Sequence, residues 1–361
     1  MRILDKYILR ELMGPFLFGI ASFSSIFIGT NTIFRIVQYI TKYGASLGSV
    51  TKLFIYSLPN IIVLTFPMSM LLASLLAFGR LSAASEVTAM KSGGLSFYRL
   101  AVPVFVVAFF VSIFAVAFNE LVVPAANTAY NNTVFYEIQK NTTPKSQDHI
   151  IIKDVDSGNL GRLTYARKFD EATSTMIGVT IEEFENSRLV RIENAEKAVW
   201  KDNRWIMYHG TIYDMGAEGN LERSLRFEEQ TMPVTKAPKT IAREQKKAEE
   251  MTIRELKQQI QVLQREYVKS SVYEVELHHR ISIPMASLVF ALIGTPLGLS
   301  PHRSSSSTGL GFSIVIIFVY YIIMAVSTAL GQGGAMNPVL AAWLPNIIGM
   351  IAGVYLVRRA S

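Results

Sequence analysis

Gly309-Leu-Gly-Phe-Ser-Ile-Val-Ile-Ile-Phe-Val-Tyr-Tyr-Ile-Ile-Met-Ala-Val-Ser-Thr-Ala-Leu330 is a stretch that only a membrane accommodates as one helix. It sits inside a run of 54 residues, Ser304 to Val357, without a charged side chain. About 20 apolar residues of helix cross a ~30 Å hydrocarbon core. The run is broken in the middle by Gly331-Gln-Gly-Gly-Ala-Met-Asn-Pro338, so it holds two spans joined by a tight connection. Four further charge-free stretches precede it: Leu12–Phe34, Leu53–Gly79, Leu100–Asn119 and Ile281–Leu299. With Gly309–Leu330 and Val339–Val357 they predict six spans. The first is too long for a signal-peptide core and reads as an uncleaved anchor.

Charge divides the chain into two solvents. Residues 121–279 carry 22 Lys/Arg and 24 Asp/Glu, whereas the remainder carries 13 Lys/Arg and only 4 Asp/Glu. The high pI therefore belongs to short loops beside apolar helices, and nucleic-acid binding is set aside. Six spans put both termini on one side. Nine cations (Arg2, Lys6, Arg10, Arg80, Lys91, Arg99, Arg303, Arg358, Arg359) mark one set of helix ends, against Arg35, Lys42 and Lys52 on the short loops opposite. By the positive-inside rule the termini are cytoplasmic and the polar segment lies across the membrane. The chain has no cysteine, which excludes disulfides, thiolate metal sites and a cysteine nucleophile.

That polar segment alternates apolar and polar residues, as in Leu163–Phe169, Met176–Phe184, Arg188–Ile192 and Trp205–Tyr213. This is the period of half-buried strands and predicts an all-β sandwich, jelly roll or open barrel. Asp202-Asn203, flanked by Trp200 and Trp205, predicts a hairpin turn. After Pro233 and Pro238 the period becomes helical: Ile253, Leu256, Ile260, Leu263 and Tyr267 share a face behind a Thr252/Glu255 capping box.

Gly79-Arg-Leu-Ser-Ala-Ala-Ser-Glu-Val-Thr-Ala-Met-Lys-Ser-Gly-Gly94, between spans two and three, predicts a short amphipathic helix. Ser82 or Ser85 would cap it, Glu86 opens it, Val87, Met90 and Leu95 form its apolar side, and Gly93-Gly94 ends it. On composition such a helix is either a plain interfacial connector or the dock for a motor subunit. No G-x-x-x-x-G-K-[ST] phosphate loop is present, so the chain does not grip ATP by that device. The spans carry no Asp or Glu to serve as a proton relay. Arg35 and Lys42 at the far end of span one would either hold lipid phosphates or snorkel to ordinary headgroups. His278 and His279 diverge by about 100° on a helix and predict no metal site.

Leu4-Asp-Lys-Tyr-Ile8, Phe66-Pro-Met68, Ser85-Glu86 through Met90 with Ser92-Gly93, and Glu120-Leu-Val-Val-Pro124, in this order, resemble the LptF/LptG (YjgP/YjgQ) permeases of lipopolysaccharide export over essentially the whole chain. The N-terminus and the Arg35–Lys42 region are more similar to LptG than to LptF. The resemblance implies six transmembrane helices with an inserted periplasmic β-jellyroll-like domain in the bacterial inner membrane. Residues 1–122 would hold spans one to three with a coupling helix at about 82–95. Residues 123–250 would form the β domain, and 251–361 a connecting helix and spans four to six.

It further implies a permease subunit of an ABC-type exporter, not itself an enzyme. No cofactor would sit on this chain, since ATP and Mg belong to a cytoplasmic LptB-type ATPase received through Glu86, Val87 and Met90. Implied partners are lipopolysaccharide or a related glycolipid, a second LptF/LptG-type permease, and LptC-type and LptA-type periplasmic proteins. Arg35 and Lys42 would bind lipid phosphates, with Thr41 departing from a basic position. Phe27, Phe34, Ile317, Tyr320, Tyr321 and Met324 would line an acyl-chain cavity. The rival expectation is a membrane-anchored periplasmic scaffold or sensor without transport activity, indifferent to replacement of Glu86.

Overall fold

The computed structural model describes residues 3–139, 146–156, 159–170, 173–185, 188–216, 220–234, 236–238, 241, 246–265, 268–299 and 306–360. Tyr267, placed above on a helix face, and Ser304 and Arg303 of the loop after span four lie outside the described residues. The chain forms two compact units, Met1–Lys140 with Ala248–Ser361, and Asn141–Lys247.

The first unit is helical. Its elements are α1 (Ile3–Phe27), a π-helical turn (Ile28–Thr32), α2 (Ile33–Tyr43), α3 (Leu47–Ala83), α4 (Glu86–Ser92), α5 (Phe97–Leu121), α6 (Val123–Asn132) and a second π turn (Thr133–Ile138). After the β unit come a 3₁₀ turn (Ala248–Glu250), α7 (Ile253–Arg265), α8 (Ser271–Gly298), α9 (Ser306–Gln332) and α10 (Pro338–Ala360). Six helical runs are long and apolar enough to cross a membrane: Ile3–Tyr43, Leu47–Ala83, Phe97–Ile138, Ser271–Gly298, Gly311–Gln332 and Pro338–Ala360. The expected boundary at 122 is overrun, because Pro124 falls at the start of α6, where the missing N–H costs nothing, and the helix continues. Span four likewise starts ten residues before its charge-free stretch, at Ser271.

Spans two and four form the hub. In the most apolar window of span two 83% of residues are buried, against 17% in span one, and span four follows at 67%; span one packs on span two, whereas spans three and six pack mainly on span four. Small residues bring span four against span two. A Cβ on Gly294 would lie 3.0 Å from the Leu71 carbonyl, and one on Gly298 would lie 2.8 Å from Phe78 Cβ. With lipid as apolar as leucine, this close approach supplies the van der Waals packing that holds the pair. At the α9–α10 turn, Asn337 Oδ1 accepts from Val339 N at 2.9 Å with Pro338 opening the helix, and Gly334 takes φ +82°.

The second unit is one antiparallel sheet in sequential order: β1 (Ser146–Asp156), β2 (Asn159–Asp170), β3 (Thr175–Glu185), β4 (Arg188–Lys201), β5 (Arg204–Met215) and β6 (Leu221–Thr231). Asp202 (φ 50°) and Asn203 (φ 61°) turn the β4–β5 hairpin, with Trp200 opposite Trp205 in an edge-to-face pair at 5.4 Å. The pairing skips one residue on every strand along a single row, His149, Arg167, Gly178, Glu196, His209 and Glu228. Positive φ recurs on alternate strands of that row, at His149, Gly178 and His209. The row reverses side-chain parity, so Val179 and Met176, three residues apart, both face the core. It bends all six strands together and wraps one apolar face around Phe169, Trp205 and Met207.

The side of the sheet bearing that core carries an ion-pair ladder near the tips of three hairpins. Asp154, Arg162, Glu183, Arg191, Asp214 and Arg223 are successive register partners with alternating charge. Arg162 lies 2.9 Å from Glu183, and Arg191 lies 2.7 Å from Asp214. Cross-strand opposite charges favour this register over a slipped one.

Candidate functional site

Outside residues 121–279 the sequence has four acidic side chains, and each fastens a helix end. Asp5 pairs with Arg99 at 2.7 Å, Glu11 pairs with Arg80, Glu86 accepts from the Tyr7 hydroxyl at 2.7 Å, and Glu120 accepts from Ile253 N. The first three surround α4 at the end of the unit that bears both termini, where Lys91 Nζ also donates to Ala360 O at 2.9 Å. The short helix is thus held by span one, the end of span two, the start of span three and the end of span six.

Glu86 opens α4 and is partly buried. The expected serine cap is absent: Ser85 sits at the N-cap position in the left-handed region with no side-chain cap bond, and Ser82 Oγ donates instead to Leu299 O at 3.2 Å. Val87 is 5% exposed and belongs to the core cluster of Ile8, Leu12, Leu81 and Phe97, on which Met90 and Leu95 also lean. The apolar side of α4 therefore faces the chain's own helices. Thr88, Ala89, Lys91 and Ser92 are exposed and form the outer face beside the Glu86 carboxylate.

At the opposite end of span one, Arg35 and Lys42 lie on α2, seven residues or two turns apart, which puts them on one side of the helix. Both are exposed, and Lys42 Nζ sits 5.4 Å from the Tyr43 ring centroid. Among the described residues no carboxylate pairs with either. Lys52 differs: its Nζ lies 2.8 Å from Glu137, which also accepts from Ser49 Oγ at 3.1 Å. Thr41 Oγ1 turns back to Val37 O at 2.9 Å.

Five of the six expected cavity residues come together. Phe27, Ile317, Tyr320, Tyr321 and Met324 join one cluster with Phe23, Leu72 and Phe290. Tyr320 donates to Asn346 Oδ1 at 2.8 Å and Tyr321 to Leu64 O at 3.3 Å, tying α9 to α10 and to α3. Phe34, 67% exposed, stays outside this cluster.

The sequence profile of the lipopolysaccharide export system permease LptF/LptG matches residues 6–359. The chain belongs to the LptF/LptG family. It is accordingly a multi-pass inner-membrane protein. It is also 27% identical over 126 residues to the lipopolysaccharide export system permease protein LptG of Haemophilus influenzae, a match that spans 34% of each chain. About a third of that relative's length is thus covered, which carries the LptF/LptG family and not the LptG branch.

One cluster in this LptF/LptG-family chain was not foreseen from sequence. Arg280, 3% exposed, donates to Asn119 O at 3.0 Å and Glu249 O at 2.7 Å, beside a polar cavity of about 160 Å³ whose lining includes Asn60, Glu276 and His279. Among the described residues no group of three metal-ligating side chains forms. The available signals were an arginine directly before an apolar span and the Glu120 of the family-like motif.

Proposed function

We propose that this chain is one permease half of an ABC-type exporter that extracts lipopolysaccharide, or a related glycolipid, from the inner membrane. A cytoplasmic LptB-type ATPase supplies the energy, a second LptF/LptG-type permease completes the lipid path, and LptC-type and LptA-type periplasmic proteins receive the lipid from the β unit. The termini and α4 are cytoplasmic in this reading, and the β unit is periplasmic. The observation that carries it is α4: a short helix at the termini-bearing end, with one carboxylate at its start, anchored to four spans through Val87 and its neighbours and exposing Thr88, Ala89, Lys91 and Ser92.

Chemically the chain makes and breaks no covalent bond. The ATPase pushes on α4, and the Tyr7–Glu86 bond passes the displacement into span one. Arg35 and Lys42, at the other end of the same helical run, hold the lipid phosphates by charge-assisted hydrogen bonds. Phe27 and Met324, half-buried at the edge of their cluster, face the acyl chains in this reading, with Ile317, Tyr320 and Tyr321 packed behind them and Phe34 exposed. In this reading the acyl chains then enter between the bent sheet and Met232, Val234 and Ile241, which pack on its apolar face, and the edge strands β1 and β6, which pair with no further strand among the described residues, extend into the next sheet.

The test is purification from the native membrane in mild detergent, with co-purifying protein and lipid identified by mass spectrometry. The reading expects a stoichiometric ATPase, depleted by Glu86→Arg, and lipid-A-containing glycolipid, depleted by Arg35→Ala with Lys42→Ala. An intact, monodisperse preparation with neither would favour an anchored scaffold.

A further inference from the structure

Lys247 is the last residue of the β unit, and the six residues that follow its return, 248–253, are bound by side chains of three helices. Arg280 of α8 reaches Glu249 O at 2.7 Å and Ala248 O at 3.5 Å with one guanidinium nitrogen and Asn119 O of α5 at 3.0 Å with another. Its Nε lies 3.4 Å from Glu276 Oε1, and Asn119 answers with Nδ2 to Arg280 O at 3.2 Å. Both carboxylate oxygens of Glu120 accept from Ile253 N at 3.0 Å. Thr252 and Glu255 already cap α7 reciprocally, so Glu120 adds a cap from another helix. From α6, Asn127 Nδ2 donates to Glu249 O at 3.1 Å and Asn131 Nδ2 to Glu250 Oε1 at 2.7 Å.

We propose that Arg280 and Glu120 are positioning residues that lock span three, at the junction of α5 and α6, and the outer third of span four to segment 248–253, so the helices that lead to and from the β unit move together. This rests on the exporter reading above. The choice of a charge argues for the role. A buried ion pair contributes little net stability compared with well-packed apolar side chains, and its desolvation is costly. An arginine this buried between spans marks function. Its planar fork reaches three elements at once, which an apolar residue or a lysine does not do. The links lie far apart in sequence: α6 and its π turn carry span three on to Ile138, ahead of the β unit, and segment 248–253 leads back. The knot binds one to the other.

The test uses the full complex with its ATPase in native lipid, comparing wild type with Arg280→Lys and Glu120→Ala. Three quantities are read: hydrogen exchange over residues 248–256, ATP hydrolysis, and ATP-dependent lipid release. The proposal expects exchange about fivefold faster, hydrolysis within about twofold of wild type, and release reduced about tenfold. Because the chain has no cysteine of its own, Asn131→Cys with Glu250→Cys can be bridged by a short bis-maleimide in the Arg280→Lys background, and bridging is expected to restore release. Wild-type release despite faster exchange overturns the proposal. So does loss of assembly that bridging fails to rescue, which would be a merely structural role. If the wild-type complex itself releases no lipid on ATP addition, the exporter reading fails, an outcome separate from failure of the variants alone.

Discussion

The hydroxyl of Tyr7 donates to a carboxylate oxygen of Glu86 at 2.7 Å, joining the second turn of span one to the first residue of α4. Span one continues as helix through its π turn to Tyr43, so one rod carries Tyr7 near one end and Arg35, about 40 Å away, near the other. The π turn at Ile28–Thr32 interrupts this rod where a change of angle is accommodated most readily.

Tyr7→Phe is expected to remove a hydrogen bond of about 0.5–1.5 kcal/mol without unfolding the helices. Lipid export falls in part, Glu86→Gln lowers it in part as well, and the double variant resembles Glu86→Gln. Export in the four-member cycle checks this. Independent, additive losses would show that the bond is not the route.

Arg35→Ala and Lys42→Ala are each expected to weaken retention of purified lipopolysaccharide by about tenfold, the scale of one hydrogen bond to a charged group. The loss shrinks at high salt. Lys52→Ala changes retention less, because Glu137 already occupies its ammonium. Filter binding at two ionic strengths distinguishes the three.

Gly294→Val places a branched side chain against the Leu71 carbonyl and Ser74, whereas a Cβ on Gly14 meets nothing within 4 Å. Overpacking of this kind costs about 1–3 kcal/mol. Thermal unfolding in detergent is expected to drop by several degrees for Gly294→Val and to be nearly unchanged for Gly14→Ala.

Glu193 is 2% exposed on β4; burial first, and then the nearby Glu183 carboxylate, raise its carboxyl above the ordinary range. A raised carboxyl stabilises the fold below its unfolded value, and that contribution is lost as pH rises through the folded value. Glu193→Gln is therefore expected to raise the unfolding temperature of the β unit at pH 7 and to flatten its decline between acidic and neutral pH. Fluorescence of Trp200 and Trp205 in a Trp343→Phe background reports this unit alone, since the chain has three tryptophans. A lower unfolding temperature at pH 7 would contradict it.

What was legible in the sequence follows from what is periodic or apolar. The six spans stood out because charge is absent across them, and the β unit because its strands alternate. The extensions of span one and span four were hidden, since Asp5, Glu274 and Glu276 read as loop charges until their helices are seen to continue. The bend across the sheet was equally hidden: His149 and His209 take positive φ without a glycine to announce it. Ser85 misled as a cap because left-handed backbone there points its side chain away. The spacing of Val87 and Met90 marks the apolar side of α4, but sequence does not say that this side turns inward onto the chain's own helices. Arg280 and Glu120, 160 positions apart, meet only once the chain returns from the β unit.

The most direct measurement is lipid release from vesicles. The complex is reconstituted with lipopolysaccharide and its ATPase, ATP is added, and lipid passed to a periplasmic acceptor is counted for wild type and Glu86→Ala. The account predicts ATP-dependent release by wild type and background release by Glu86→Ala, with both complexes assembled. Equal release from the two would contradict coupling through α4, and no release from an assembled wild-type complex would contradict the export function itself.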